Sequence, residues 1–394
     1  VANAGEAVKP RPRRPGPRPR NARLSSMPPS PEESRPNLYG LGRPGLRSFF
    51  EEAGAPPYHA DQAFRWMYRA GRLDPSGWTD FPRPLRSRLG EIARVEEGSI
   101  VDRGEAADGT VKYRIAPADG DAVETVVLAQ SGRVTLCLSS QVGCALECRF
   151  CLTGRMGLVR NLGPGEIVGQ VALARSDRRL GDGPFNVVLM GMGEPLGNYD
   201  AVLEAVRILT DPEGFGLSHR RITLSTAGIA PAIERLGREP RRPRLAVSLN
   251  ATTDAVRDRL MPVNRRYPIA RLREACRAFA RETGDRFTFE YVLLDGVNDG
   301  AADVARLARI ARGHGAKINL IPYNPVPGRL DYRPTSRERT LEIRDRLAAL
   351  GARVAVRWSR GAEARAACGQ LAVEREGEGA ASRRAPRPSQ GRNP

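Results

Sequence analysis

Only three histidines occur in these 394 residues, His59, His219 and His314, and their spacing suits no metal ion. That argues against hydrolytic metal chemistry. No apolar run approaches the roughly 18 residues of a membrane span. The N-terminal stretch "VANAGEAVKPRPRRPGPRPRNAR" is basic but has no apolar core, so it does not read as a secretory signal. A soluble, cytoplasmic protein with no membrane partner is expected. No close internal repeat is visible, which argues against a solenoid. Acidic residues are scarce, 45 against 63 Lys and Arg, for a net charge of +18. Cysteines number six, yet four of them crowd into "CLSSQVGCALECRFC", residues 137 to 151. In a reducing compartment such crowding points to metal or redox chemistry rather than structural disulfides.

The charge is spread through the chain. Residues 1–36 carry +5 and residues 373–394 carry +2, which leaves +11 on the body. A basic body suits a polyanion, because each neutralised phosphate releases counterions. An Arg-rich surface kept for solubility gives the same count. Both end segments are rich in Pro, Arg and Ser and too poor in apolar residues to fold, so they read as disordered basic tails.

Between them the pattern predicts an α/β protein. From 37 to 100, "PGLRSFFEEAG", "HADQAFRWMYRAG" and "PRPLRSRLGEIA" have helical spacing, with Leu46, Phe49, Phe50, Phe64, Trp66 and Met67 on apolar faces. This is read as a small helical accessory domain with an exposed Arg/Lys surface. "GTVKYRIAP" and "DGDAVETVVLA" read as a hairpin turning at "ADGD", followed by a strand in "RVTLCLSS". Thereafter short apolar strands alternate with amphipathic helices in about six units. "TSRE" (Thr335 to Glu338) reads as a capping box for the last helix, and Gly351 as its stop. The units predict a partial, open (β/α)6 barrel over 101–372, preceded by a β-hairpin extension. Chemistry is then expected at the strand ends, "GMGEP", "LSTAG", "SLNA", "LLDGVND" and "IPYNP".

Cys144, Cys148 and Cys151 form C-x3-C-x2-C, with Phe150 before the last cysteine. Zinc takes four ligands, commonly in separated pairs. Three close thiolates fit an iron–sulfur cluster with one iron left open. Cys276, at an apolar helical position in "LREACRAFA", reads as core.

These residues resemble the radical S-adenosylmethionine (SAM) superfamily. "TLCLSSQVGCALECRFCLTG", "MGMGEPLGNY", "ITLSTAG", "LMPVNRRYP", "NLIPYNPVPG" and "AACGQL" together resemble its RlmN/Cfr family of RNA methyltransferases, from about residue 37 to 372. The resemblance implies a [4Fe–4S] cluster on Cys144, Cys148 and Cys151, and two SAM molecules per turnover. It implies methylation of C2 of adenosine 2503 in 23S rRNA, and of adenosine 37 in some tRNAs. A flavodoxin or ferredoxin would supply electrons. The basic body suits RNA, and a reactive ring carbon must first be unstacked. Methylation at C8, as in the Cfr branch, uses the same residues and stays open. A basic RNA-binding protein without catalysis is the alternative from another class.

By the same resemblance Cys368 is the S-methylcysteine that receives a methyl from the first SAM. Cys137 is the resolving cysteine, forming a transient disulfide with Cys368 on product release. Glu124, a carboxylate in an otherwise apolar strand, is the proton acceptor. Gly193, Glu194, Ser225, Ser248, Leu249, Asn250 and Asn324 are implied to bind SAM. Asn250 stands where many family members carry histidine.

Overall fold

Prolines mark the first helix boundaries. In the computed structural model, which describes residues 35–372 apart from 118, 119, 131, 182, 326–331, 362 and 363, helices run Arg43–Glu52, His59–Phe64 and Arg83–Ile92. The first and third carry proline in their first turn, where a backbone N–H has no helical partner to lose. The second continues into a π-helical turn, Arg65–Arg69. Leu46, Phe50, Phe64 and Met67 are buried as their spacing predicts. Trp66 is only half-buried, because its indole N–H donates to Asp80 at 2.5 Å. These side chains join one continuous core with the sheet that follows.

The strands are β1 (Ser99–Glu105), β2 (Val111–Ala116), β3 (Val123–Gln130), β4 (Arg133–Cys137), β5 (Gln141–Gly143) and β6 (Leu158–Asn161). They continue as β7 (Phe185–Leu189), β8 (Ile222–Thr226), β9 (Arg244–Ser248), β10 (Thr288–Leu293), β11 (Lys317–Pro322) and β12 (Arg353–Val356). Ten of them form one sheet in the order β1-β2-β3-β4-β7-β8-β9-β10-β11-β12, while β5 and β6 form a separate ribbon. From β4 onward every neighbour in the large sheet is parallel. Helix-bearing crossovers join these strands, as parallel pairing requires. The order runs out at β1 and β12, which leaves the barrel open as expected.

Two details differ from the sequence reading. The hairpin extension is a three-stranded antiparallel meander, because β1 pairs with β2. Its polar, mostly exposed sequence gives no apolar alternation to detect. The last helix, Arg337–Ala349, is capped one residue later than predicted. Ser336 Oγ accepts from the Arg339 N–H, while the Thr335 hydroxyl is buried and donates to Asp299. Gly351 does follow the helix in left-handed conformation, at φ 77°. The "ADGD" turn lies partly outside the described residues, as do the tails beyond Arg35 and Ala372. No described helix is long and apolar enough to cross a membrane.

Candidate active site

The strand ends open onto one cleft with about 1000 Å³ of empty space. Its wall includes Cys144, Cys148, Cys151, Gly193, Glu194, Ser225, Ser248, Asn250, Asn324 and Cys368. Thus ten of the thirteen residues singled out in the sequence face the same space. Glu124 and Cys137 are buried and not part of that lining, and Leu249 is turned into the core.

The cysteine loop begins where β4 ends. Ser139 ties it down: its hydroxyl donates to the Glu124 carbonyl at 2.6 Å and accepts from the Met192 N–H at 2.9 Å. Glu147, at φ 51°, makes the left-handed turn between Cys144 and Cys148. Burial pushes all three thiols above their usual range, Cys144 to about 12. An isolated thiolate is therefore costly here, and binding to iron removes the cost. Among the described residues no three His, Cys, Asp or Glu side chains converge on a single metal ion. A [4Fe–4S] cluster asks for something different, since each thiolate binds its own iron. Three free cysteines around one cleft end fit that requirement.

Opposite the loop stands "GEP". Gly193 has φ 100°, and a Cβ there would lie 2.6 Å from Gln141 Cβ, so only glycine fits. Gln141 Oε1 then accepts the Glu194 N–H at 2.8 Å, which binds this turn to the cysteine loop. The Glu194 carboxylate accepts from the Leu196 and Ala227 N–H groups at 3.0 and 2.7 Å. Burial outweighs these bonds and raises its pKa to about 6. A buried carboxylate pinned at the cleft is suited to an ammonium group, such as that of SAM.

The raised value has a sign. Above both the unfolded value of 4.5 and about 6, the ionised form destabilises the fold; stability is full below 4.5 and falls as pH rises through 6. The gap amounts to about 2 kcal/mol. In ligand-free protein, thermal melts of Glu194→Gln are expected to lose this part of the wild-type decline between pH 4.5 and 6. An unchanged decline would refute the assignment.

Ser248 ends β9 and Asn250 lies just beyond it. Asn250 takes φ 52°, a region asparagine tolerates better than most residues. Its side-chain oxygen accepts the Val292 N–H at 2.8 Å, so the amide locks β9 to β10. The Leu249 N–H is taken by the Glu290 carbonyl, and its own carbonyl accepts from Arg257.

The C-terminal segment crosses the cleft and places Cys368. Asn324 Nδ2 donates to the Cys368 carbonyl at 3.2 Å. The Leu152 N–H, just past Cys151, donates to the Gly369 carbonyl at 2.9 Å, and Thr153 Oγ1 donates to the Leu371 carbonyl at 2.6 Å. The Ala372 N–H then donates to Glu124 Oε2 at 2.9 Å. Segments more than 200 residues apart are thereby stitched into one site.

Glu124 is 6% exposed and pairs with Lys112 Nζ at 2.8 Å. Burial raises its pKa, and Lys112 only partly opposes this, so it is a better proton acceptor than a surface carboxylate. Cys137 is buried, its thiol pushed up to about 12 by burial first and by Cys368 second. All six cysteines are free here, so the expected Cys137–Cys368 disulfide is not formed. Cys276 is fully buried, as read from its spacing.

Sequence reasoning passed over three groups. Glu290, 4% exposed in β10, lines the cleft; Asn319 bonds one oxygen at 2.9 Å and the other is buried without a hydrogen-bond partner. A lone carboxylate in an apolar strand was the signal that pointed to Glu124, and it applies equally to Glu290. Gln141 carries no such signal. Arg257 sits in "DAVRDRL", whose charges mimic a solvent-facing helix.

The Radical SAM superfamily model matches residues 138–308, and that of the ribosomal RNA large subunit methyltransferase N-terminal domain matches residues 36–95. The dual-specificity RNA methyltransferase RlmN of Anaeromyxobacter sp. (strain Fw109-5) is 48% identical over 92% of this chain and 96% of its own. Its counterpart from Anaeromyxobacter dehalogenans (strain 2CP-C) is 47% identical over 87% of this chain and 93% of its own. A crystal structure of a radical SAM methyltransferase from Sphaerobacter thermophilus superposes with TM-score 0.80 at 46% identity, covering 85% of this chain and 99% of that one. With matches of this extent over a site of this chemistry, the chain belongs to the RlmN family of radical-SAM RNA methyltransferases, which use a [4Fe–4S] cluster and SAM.

Proposed function

We propose that this enzyme methylates C2 of adenosine 2503 in 23S rRNA and of adenosine 37 in tRNA, with Cys368 as methyl carrier. The observation that carries the reading is the placement of Cys368. Its segment is bonded to the residues after Cys151, to Asn324 and to Glu124, and Cys368 itself lines the cleft together with Cys144, Cys148 and Cys151. Adenine C2 is electron-poor and offers no lone pair to a methyl cation donor, so a polar transfer fails. A cysteine does offer one.

Cys144, Cys148 and Cys151 would hold the cluster, and Gly193, Glu194, Ser225, Ser248, Asn250 and Asn324 would surround SAM. When bound and given an electron, this pair of cofactors would supply a 5′-deoxyadenosyl radical, the chemistry needed to take hydrogen from a methyl group on Cys368. The carbon left on Cys368 bonds to C2 of the base. Glu124 takes the C2 proton. The Cys137 thiolate then attacks the Cys368 sulfur and a disulfide forms as the bond from that sulfur to the new carbon breaks; the released carbon takes a proton, the unpaired electron would return to the cofactors, and the methylated base leaves. Reduction of that disulfide resets the enzyme, and a flavodoxin or ferredoxin suits the electron supply. Residues 37–100 act as an RNA-facing accessory unit.

Mass spectrometry of rRNA and tRNA from cells with and without the gene tests this directly. We expect 2-methyladenosine at both positions only when the protein is present. An 8-methyladenosine product, or none, would overturn the reading.

A further inference from the structure

The helix Asp254–Leu260 holds an arginine that the site above does not use. Arg257 is wholly buried. It makes four hydrogen bonds, all to neutral oxygens: the carbonyls of Ala227 at 2.7 Å, Ser248 at 3.1 Å and Leu249 at 3.0 Å, and Asn264 Oδ1 at 3.0 Å. Among the described residues no carboxylate forms an ion pair with it. Asp254 and Asp258 bind the far side of the Asn264 amide, toward solvent. Sealing a guanidinium in this way is costly unless an anion answers it.

The surroundings indicate which anion. Ala227 and Ser248, whose carbonyls Arg257 holds, line the cofactor cleft, so the guanidinium lies directly behind its wall. The helix is bonded to the cysteine loop, where the Arg149 N–H donates to the Leu260 carbonyl at 2.9 Å. Cys148 and Phe150 pack in one apolar cluster with Val256, Leu260 and Met261. Cys148 lies within electrostatic reach of the Arg257 guanidinium, as do Asp254, Cys276 and Asp258. Burial lowers the Arg257 pKa to about 10, which leaves it charged at neutral pH.

We propose that Arg257 is the fixed counter-charge of the iron–sulfur cluster, making its one-electron reduction easier. A 2+ core on three thiolates has net charge −1; one electron from an external reductant takes it to −2. A nearby cation stabilises the more negative state, and the apolar surroundings keep its field from being screened. The same fork holds the ends of β8 and β9, so charge and cleft geometry are set by one side chain. This inference rests on the cluster and is independent of which RNA base is methylated.

The test is a mediated redox titration with dithionite, followed by EPR, on reconstituted protein without SAM or RNA. Iron content and circular dichroism check loading and fold. Arg257→Gln removes the charge and is expected to lower the reduction equilibrium constant about tenfold, or 59 mV for one electron. Arg257→Lys keeps the charge but not the fork and is expected to stay near wild type. An unchanged potential in loaded Arg257→Gln overturns the proposal, as does an equal fall in both variants. Should Arg257→Gln fail to fold, the Lys variant decides: a wild-type potential supports the proposal and a tenfold fall refutes it.

Discussion

Cys137→Ala, purified from cells, is expected to carry RNA bound covalently through Cys368, whereas Cys368→Ala carries none. Both variants lose turnover completely, so rates cannot tell them apart; what accumulates can. In the proposed order Cys368 acts first, as methyl carrier, and no link to RNA forms without it. Cys137 acts last, when its thiolate must break the bond between Cys368 and the new carbon. The geometry favours this division. Cys368 lines the cleft, while Cys137 is buried beside it with a thiol pushed up to about 12. A group that ionises so reluctantly is a poor first methyl acceptor, and it is kept for a single intramolecular attack. Denaturing gels show the adduct as an RNase-sensitive shift, and mass spectrometry locates it. An adduct on both variants, or on neither, would contradict the order. So would an S-methyl group on any cysteine other than Cys368.

The parts legible in the sequence were those that repeat or punctuate. Alternating short strands and amphipathic helices exposed the open barrel, and C-x3-C-x2-C exposed three cysteines that the fold brings to one cleft. One conformational demand was legible too, since Gly351 ends its helix at positive φ; that Gln141 leaves no room for a Cβ at Gly193 shows only in the fold. The hidden parts depend on contacts between distant segments. Nothing local shows that the Ala372 N–H meets Glu124, or that Gln141 binds the Glu194 turn. Arg257 is an active misdirection, since a fully buried cation lies among charges that read as a solvent face. β1 stayed unseen because an exposed edge strand needs no apolar alternation. The capping shift from Thr335 to Ser336 turns on one hydroxyl choosing Asp299 over the helix. Capping chemistry was legible there, but not which of two adjacent residues would do it.

Removing any one cluster cysteine is expected to abolish both SAM cleavage and RNA methylation while leaving the fold intact. Wild-type protein reconstituted without oxygen should hold about four irons. Cys144→Ala, Cys148→Ala and Cys151→Ala should each hold far fewer, with no brown chromophore. The loop itself survives the change, because its anchors are elsewhere. The Cys144 N–H donates to the Gly157 carbonyl, Arg149 to Leu260, and Ser139 and Gln141 fix the approach from β4. In metal-free protein the thiols hold neutral protons, so their loss should move stability by only about 1 kcal/mol. One nearby sulfur is available as a substitute ligand. Cys368 lies close enough to Cys151 for their charges to interact. Recruiting it would still end methylation, because a sulfur bound to iron is no longer free to carry the methyl group. The two failures are separable. A variant that regained iron through Cys368 would cleave SAM without methylating RNA, and the double variant with Cys368→Ala would lose the iron again. Stoichiometric zinc with normal methylation in any of the three single variants would eliminate the cluster assignment altogether.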